Sequence, residues 1–177
     1  ANRSLTDLSY QDALTGVANR RRLTDAMVAA MARAVEQNLP IGIIVADIDH
    51  FKEINDQHGH LLGDVALRAV AQAIKSATRD MDLVARFGGE EFACLMLDAD
   101  IEGVTRVAER MRAQVAALPA QTLGTAHQTV TISAGVISRV PRAGERAEAL
   151  LQDADRALYQ AKAGGRNRVQ SFNDDRD

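Results

Sequence analysis

Cysteine is almost absent from this chain of 177 residues. The one cysteine, Cys94, lies inside an apolar run. A single cysteine excludes an internal disulfide and suits a reducing cytoplasm, so we interpret Cys94 as a packing residue. The sequence also lacks a signal peptide, a low-complexity segment, an internal repeat and any apolar run long enough to span a membrane. These absences favour a cytoplasmic domain without direct membrane contact.

A strong charge of either sign is also lacking. The net charge is −3, which argues against broad binding of nucleic acid or of an anionic membrane, since those partners select a basic face. Any phosphate-binding site must therefore be local. The chain begins with Ala1 rather than Met, so we expect an upstream part of a longer protein to be missing. Any tether to the inner membrane would lie in that part.

The hydrophobic share of 46% and the charged share of 25% fit one globular domain over residues 1–177. Helical spacing of apolar residues predicts four long helices, near residues 23–34, 66–77, 104–115 and 150–161. Short apolar runs predict strands at Ile41–Ala46, Met81–Phe87, Phe92–Leu97 and Thr129–Ile137, with a last one near Arg168–Ser171. This alternation predicts an α/β fold with a mixed central β-sheet surrounded by helices. Residues 1–20 are expected to form an N-terminal connecting segment, and 172–177 a tail.

Gly88 and Gly89 stand between two of the predicted strands. They indicate a tight hairpin, because paired glycines supply the positive φ angles that two-residue turns require. Two carboxylates, Glu90 and Glu91, follow directly. Acidic side chains at a strand tip suggest metal or proton chemistry, and the alternative is a solvated hairpin end.

A second polar segment follows the first predicted strand, where ligands of α/β folds gather. Asp47 lies where this strand ends, and Asp49 is spaced to cap the next helix, which is our preferred interpretation. Lys52 falls in the first turn of that helix, where the helix dipole disfavours a cation. Its presence hints at a nearby anion, and an ordinary surface lysine is the alternative.

The remaining polar segments each have two interpretations. His58 and His60 stand two residues apart, but no cysteine or third histidine occurs at zinc spacing, so a zinc site is not favoured. Asp64 opens a long helix and is either its N-cap or a carboxylate that reads the two donors on the edge of guanine. Lys162 and Arg166 flank a glycine stop signal after the last helix, as helix-end cations or as phosphate ligands.

Together these segments resemble the GGDEF domain of bacterial diguanylate cyclases, in the variant with Glu at the third motif position. Five ordered motifs carry the resemblance over nearly the full length: Asp12–Gly16 with Asn19–Arg21, Asp47–Asn55, His58–Asp64, Gly88–Phe92, and Ala157–Lys162 with Gly165–Asn167. The resemblance implies a core related to nucleotidyl cyclases and polymerase palm domains. It also implies condensation of two GTP molecules into cyclic di-GMP and two pyrophosphates.

The resemblance further implies a role for each matching residue, and all of these positions are intact. Mg²⁺ would be held by Asp47, the Ile48 carbonyl, Glu90 and Glu91, with two ions expected and Mn²⁺ as a substitute. Glu90 would also be the base that takes the proton from the attacking ribose hydroxyl. Guanine would be read by Asn55 and Asp64, with His60 lining the pocket. The β- and γ-phosphates would be held by the Phe51 backbone, Lys52, Lys162 and Arg166.

A last motif concerns regulation. Arg79 and Asp82 match the Arg-x-x-Asp site through which many of these domains bind their own product and are inhibited by it. Arg110 stands where the family often supplies a second arginine, and a surface ion pair between Arg79 and Asp82 is the alternative. Because one base-reading set must serve a product with two guanosines, we expect a homodimer with one GTP per subunit.

The expected partners are therefore GTP, cyclic di-GMP, a second copy of the chain and an upstream sensor domain. The alternative function is a catalytically silent receptor for cyclic di-GMP, or a GTP-binding regulatory module that controls an attached enzyme.

Overall fold

The computed structural model describes residues 9–124 and 129–173. Its helices are α1 (Arg20–Gln37), α2 (Phe51–His58), α3 (His60–Ala77), α4 (Ile101–Ala116) and α5 (Ala147–Ala163), with a 3₁₀ turn at Ala120–Leu123. The strands are β1 (Ile41–Ile48), β2 (Leu83–Arg86), β3 (Glu91–Leu97), β4 (Ile132–Arg139) and β5 (Val169–Ser171). They form one sheet in the order β2-β3-β1-β4-β5. The predicted α/β fold is confirmed.

Strand β1 lies at the centre of the sheet, and all eight of its residues are buried. It pairs antiparallel with β3 on one side and β4 on the other, and β2 pairs antiparallel with β3. β4 and β5 run parallel, so the sheet is mixed as predicted. Helices α3 and α4 cover one face and α1 and α5 the other, and an apolar cluster lies on each face. Cover on both faces explains why β1 is a continuous apolar run.

Helix α5 approaches β4 closely because Gly135 lacks a side chain. A Cβ atom at Gly135 would collide with the carbonyl of Ala154 and the N–H of Leu158. Only glycine permits this approach of helix and strand backbones. The close packing brings the last turn of α5, with Lys162, to the end of the sheet where β1 ends.

The hairpin between β2 and β3 differs from its prediction. Neither Gly88 nor Gly89 has a positive φ, because four residues separate the strands and no two-residue turn is formed. The Phe87 and Gly88 N–H groups both donate to the Glu91 carbonyl, at 2.8 and 3.3 Å. A Cβ atom on Gly88 would lie 2.9 Å from Glu91 Oε2. Glycine at position 88 therefore permits a close approach of the Glu91 carboxylate.

The expected terminal segments lie partly outside the described residues, because 1–8 and 174–177 are not described. Part of the predicted connecting segment packs on the sheet. Ala18 bridges to Gln11 and to Ala85 of β2. The four long helices are confirmed, and so is the helix expected after the first strand, which is the short α2. β4 begins three residues later than the predicted strand. Cys94 is buried as predicted. Within the described residues, none of the helices is both long enough and apolar enough to cross a membrane.

Candidate active site

The end of the central strand gathers the acidic residues of two sequence segments. Asp47, only 6% exposed, lies directly opposite Glu91 in the β1–β3 register. Opposite residues of an antiparallel pair share one face of the sheet, so the two carboxylates are neighbours. The Ile48 N–H donates to the Glu90 carbonyl at 3.2 Å, which ties the hairpin loop to the strand end. The structure thus brings all four predicted metal-binding positions together.

A lysine from the opposite end of the chain joins these carboxylates. Lys162 Nζ lies 2.6 Å from Asp47 Oδ2. Burial raises the pKa of Asp47, Lys162 lowers it, and the nearby Glu90 and Asp49 carboxylates raise it further; the balance lies above the usual range. Burial also raises the pKa of Glu91, and Asp47 is the next cause. Both pKa values are therefore raised first by burial and then by the neighbouring carboxylates.

These donors fit a hard divalent cation. Carboxylate and carbonyl oxygens are the ligands that Mg²⁺ and Mn²⁺ prefer. A cation would offset the burial and the mutual repulsion that together raise the pKa values of Asp47 and Glu91. In the part of the chain that the structure describes, no three His, Cys, Asp or Glu side chains are already arranged around a metal position. The Asp47 carboxylate is instead engaged by Lys162.

A second set of predicted residues lies on α2 and α3. Asn55 Oδ1 is buried and has no hydrogen-bond partner among the described residues. Gly63 of α3 makes room for it, because a Cβ atom there would collide with Asn55 Oδ1 and lie 3.3 Å from the Phe51 ring. A buried acceptor without a donor is costly, so this atom indicates a place for a ligand donor.

Asp64 and His60 lie on α3 beside this place, but the N-cap interpretation of Asp64 is wrong. The helix begins at His60, with Gly59 at the N-cap position and a φ of +84° there. Asp64 falls in the second turn of the helix, half-buried, while His60 is exposed. The glycine, whose positive φ few other residues adopt, sets the start of the helix, and the carboxylate is left available.

The capping role predicted for Asp49 is also wrong. His50 occupies the N-cap position of α2, in a left-handed conformation and without a side-chain cap. The Asp49 carboxylate instead accepts hydrogen bonds from Thr131, Ser133 and the backbone N–H of Asn167. Lys52 lies in the first turn of α2 as predicted, and it is exposed.

The loop after α5 carries the remaining predicted phosphate ligand. Helix α5 ends at Ala163, as the glycine signal predicts, and Lys162 occupies its last turn. Arg166 follows in the loop, exposed to solvent, with a φ of +64°. Lys162 thus lies at the end of β1, and Arg166 lies in a loop whose Asn167 N–H donates to Asp49, the residue after β1.

Sequence reasoning missed the residue that holds the loop carrying Glu90. Arg86 donates from Nε and Nη2 to the Gly89 carbonyl, at 3.0 and 2.8 Å. Its Nη1 lies 3.4 Å from the Asp12 carboxylate, and the Arg20 guanidinium lies 4.3 Å from the Phe87 ring centroid. An arginine ending an otherwise apolar strand was the available signal. These contacts join the N-terminal segment to the loop that carries Glu90.

The predicted product-binding residues lie away from these carboxylates, beyond the other end of β2. Arg79 Nη2 pairs with Asp82 Oδ1 at 2.9 Å, and the Asp82 side chain is fully buried. Arg110 Nε donates to the Ala77 carbonyl at 2.7 Å. Arg79 and Arg110 line one cavity of about 500 Å³, together with Arg106. The ion pair considered as the alternative therefore exists, beside a cavity rich in arginine.

The fold and site define an α/β domain with acidic and cationic side chains gathered at one end of a mixed sheet. The chain matches the family model described as diguanylate cyclase, GGDEF domain, over residues 9–168, and it belongs to this family. It is 43% identical over 164 residues to the response regulator PleD of Caulobacter vibrioides. That match covers 92% of this chain and 36% of PleD, so the chain spans about a third of that relative.

Solved structures agree with this assignment. The GGDEF domain of DgcB from Caulobacter crescentus, solved in complex with c-di-GMP, is 35% identical with a TM-score of 0.86, covering 97% of this chain and 96% of that one. The active GGEEF domain of a diguanylate cyclase from Vibrio cholerae is 35% identical with a TM-score of 0.79, covering 88% of this chain and 97% of that one. The predicted family, the GGDEF domain of diguanylate cyclases, is confirmed.

The raised pKa of Glu91 generates a stability prediction. A carboxyl whose pKa is raised by folding lowers stability as pH rises past its ordinary value of 4.5, and this penalty is absent at lower pH. We therefore expect Glu91→Gln to increase the free energy of unfolding of the metal-free protein at about pH 7, with the gain vanishing near about pH 4. Urea denaturation in EDTA measures it, with the exposed Glu36→Gln as control. A stabilisation independent of pH would contradict the electrostatic explanation.

Proposed function

We propose that this chain is the catalytic domain of a diguanylate cyclase, which condenses two GTP molecules into cyclic di-GMP and two pyrophosphates. One observation carries the proposal: Asp47 and Glu91 lie opposite each other at the end of the central strand, with Glu90 beside them and Lys162 in contact. This arrangement joins acidic groups for metal and proton chemistry to a cation for phosphate. The family assignment supports it, and so does the active GGEEF domain among the similar structures.

The acceptor groups of Asn55 and Asp64 would favour guanine as the base. Guanine presents a ring N–H and an exocyclic amine side by side, whereas adenine lacks this donor pair. The unpartnered Asn55 Oδ1 is an acceptor for such a donor, and the Asp64 carboxylate is another. His60 would line the base-binding pocket, and the Phe51 ring lies near the same glycine, Gly63, as Asn55 Oδ1. A site built to accept hydrogen bonds strongly rejects a ligand without the donors.

The phosphates and the metal would lie between β1 and α5. Lys52, Lys162, Arg166 and the Phe51 backbone would hold the β- and γ-phosphates. Mg²⁺, for which Mn²⁺ can substitute, would be held by Asp47, the Ile48 carbonyl, Glu90 and Glu91. Such ions activate the attacking oxygen and neutralise the leaving pyrophosphate. Glu90 would accept the proton of the ribose 3′-hydroxyl. When substrate binds, Lys162 would leave its ion pair with Asp47 and pair with a phosphate instead.

A two-fold dimer follows from this assignment. Each chain has one base-reading set and one set of carboxylates, whereas the product joins two guanosines through two equivalent bonds. Two chains facing each other, each with one GTP, satisfy this symmetry. The contacts of Arg86 with Asp12 and the loop before Glu90 offer a path by which an upstream sensor domain could orient the site.

A second candidate function rests on the arginine-lined cavity. Arginine provides a fork for phosphate and a flat face for stacking on guanine, so Arg79 and Arg110 suit cyclic di-GMP. In an active enzyme this cavity would serve product feedback. In a silent domain it would make the chain a receptor for the dinucleotide.

Turnover separates these candidates. We expect the protein, incubated with GTP and Mg²⁺, to form cyclic di-GMP and pyrophosphate that chromatography resolves. Glu90→Gln should reduce this turnover by roughly a hundredfold or more, because it removes a base and a metal ligand without changing side-chain size. Binding of a nonhydrolysable GTP analogue should persist in the variant.

Two results would contradict parts of this proposal, the first the role of Glu90 and the second the cyclase assignment. Near-normal turnover in Glu90→Gln would remove Glu90 from the mechanism. Binding of cyclic di-GMP without any turnover, in a chain shown to be dimeric, would favour the receptor.

Product feedback has its own test. Arg79→Ala should weaken inhibition by cyclic di-GMP by roughly tenfold or more, since a charged hydrogen bond to phosphate is lost. Initial rates at low product should stay near those of the wild type, because the cavity is separate from the carboxylates. Arg146→Ala, an exposed arginine before α5, is the control. Inhibition that is purely competitive with GTP and survives Arg79→Ala would return this segment to a structural ion pair.

A further inference from the structure

The loop that follows α5 has an uncommon backbone. Gly165, Arg166 and Asn167 have φ values of +119°, +64° and +46°. Residues with side chains rarely adopt positive φ unless the surrounding contacts hold them there, and such residues concentrate at functional sites. The contacts that hold this loop therefore set where the backbone of Arg166 lies.

Asp49 supplies one of these contacts from a buried position. Its Oδ2 accepts hydrogen bonds from the Asn167 N–H at 3.0 Å and from the Thr131 hydroxyl at 2.7 Å. Its Oδ1 accepts one from the Ser133 hydroxyl at 2.6 Å. The side chain is only 5% exposed, and the three hydrogen-bond donors fix it in place. The carboxylate thereby fastens the loop to the ends of β1 and β4.

A second contact reaches the same loop from α4. Arg112 Nη1 donates to Asn167 Oδ1 at 3.1 Å, and Arg112 Nε is paired with Glu109 at 3.0 Å. Asn167 is therefore held through both its backbone N–H and its side chain. Neither Asp49 nor Asn167 belongs to the residues assigned to nucleotide or metal, so their contacts have no other role in the proposed mechanism.

We propose that Asp49 is a positioning residue for phosphate binding: its buried carboxylate holds Asn167 and so keeps the Arg166 guanidinium where the β- and γ-phosphates of GTP bind. This inference rests on the proposed function, because it takes Arg166 as a phosphate ligand. A purely structural Asp49 would stabilise the fold without any preference among nucleotides. The number of phosphates on the ligand therefore separates the two roles.

The experiment compares a nonhydrolysable GTP analogue with GMP, which lacks both outer phosphates, by calorimetry at fixed Mg²⁺. Asp49→Ala should weaken binding of the GTP analogue roughly tenfold, because the loop loses the hydrogen bond from Asn167 to a charged carboxylate. Binding of GMP should stay unchanged. Asp49→Asn should keep the preference for the GTP analogue over GMP. Its amide oxygen can still accept from the Asn167 N–H, and its amide nitrogen can donate to the Ser133 hydroxyl. Thr131→Val is the matched control, since it removes a donor to the same carboxylate without touching the loop.

Arg166→Ala makes the outcomes distinguishable. If Arg166→Ala lowers the preference for the GTP analogue and adding Asp49→Ala lowers it no further, the two residues act together. If Arg166→Ala lowers the preference for the GTP analogue and Asp49→Ala does not, the positioning role is overturned and the proposed function stands. The same holds if Asp49→Ala weakens the binding of the GTP analogue and of GMP equally. If Arg166→Ala has no effect, the phosphate assignment itself is wrong and the positioning role falls with it.

A measurement on the wild type covers the case in which Asp49→Ala does not fold. The Asn167 amide should exchange with solvent slowly in the nucleotide-free protein, although the residue is exposed, because the amide is bonded to a buried carboxylate. Exchange as fast as in an unstructured segment would show that Asp49 does not hold the loop.

Discussion

The pairing of β1 with β3 forces two acidic side chains together at the end of the central strand, and much of the site depends on this contact. Asp47 is buried, and its neighbour across the ladder is Glu91. Neighbouring carboxylates at a partly buried site repel each other, and cations relieve this repulsion. Lys162 supplies one, and the proposed metal ions would supply the rest.

Several features of the fold serve that balance. Gly135 lets α5 lie close on β4 and so delivers Lys162 to the end of β1. Asp49, two residues after Asp47, fastens the loop that carries Arg166. The end of one strand therefore controls both cations of the α5 segment, Lys162 by an ion pair and Arg166 through the backbone of its loop. Phosphate affinity and metal affinity would consequently depend on the same short stretch of chain.

The sequence predicted local patterns better than distant contacts. The helices followed from apolar spacing and β1 from a continuous apolar run, while the grouping of Glu90, Glu91 and Asp47 followed from motif resemblance. The partners of Asp49 could not be foreseen, because Ser133 is 84 residues away and Asn167 118 residues away. A capping aspartate and a strand-end aspartate look alike until the sheet is assembled. The two-residue turn predicted from Gly88 and Gly89 was wrong for a similar reason. Glycine at position 88 instead permits the close approach of the Glu91 carboxylate, which the local pattern does not reveal.

Binding of Mn²⁺ tests the central claim most directly. Electron paramagnetic resonance can count bound Mn²⁺ in the presence of a nonhydrolysable GTP analogue, for the wild type, Asp47→Asn and Asp49→Asn. Loss of one of few carboxylate ligands should weaken Mn²⁺ binding by more than about tenfold in Asp47→Asn. Asp49→Asn, buried two residues away, should change it much less. Equal Mn²⁺ affinity in the wild type and Asp47→Asn would contradict a metal site built on the end of the central strand.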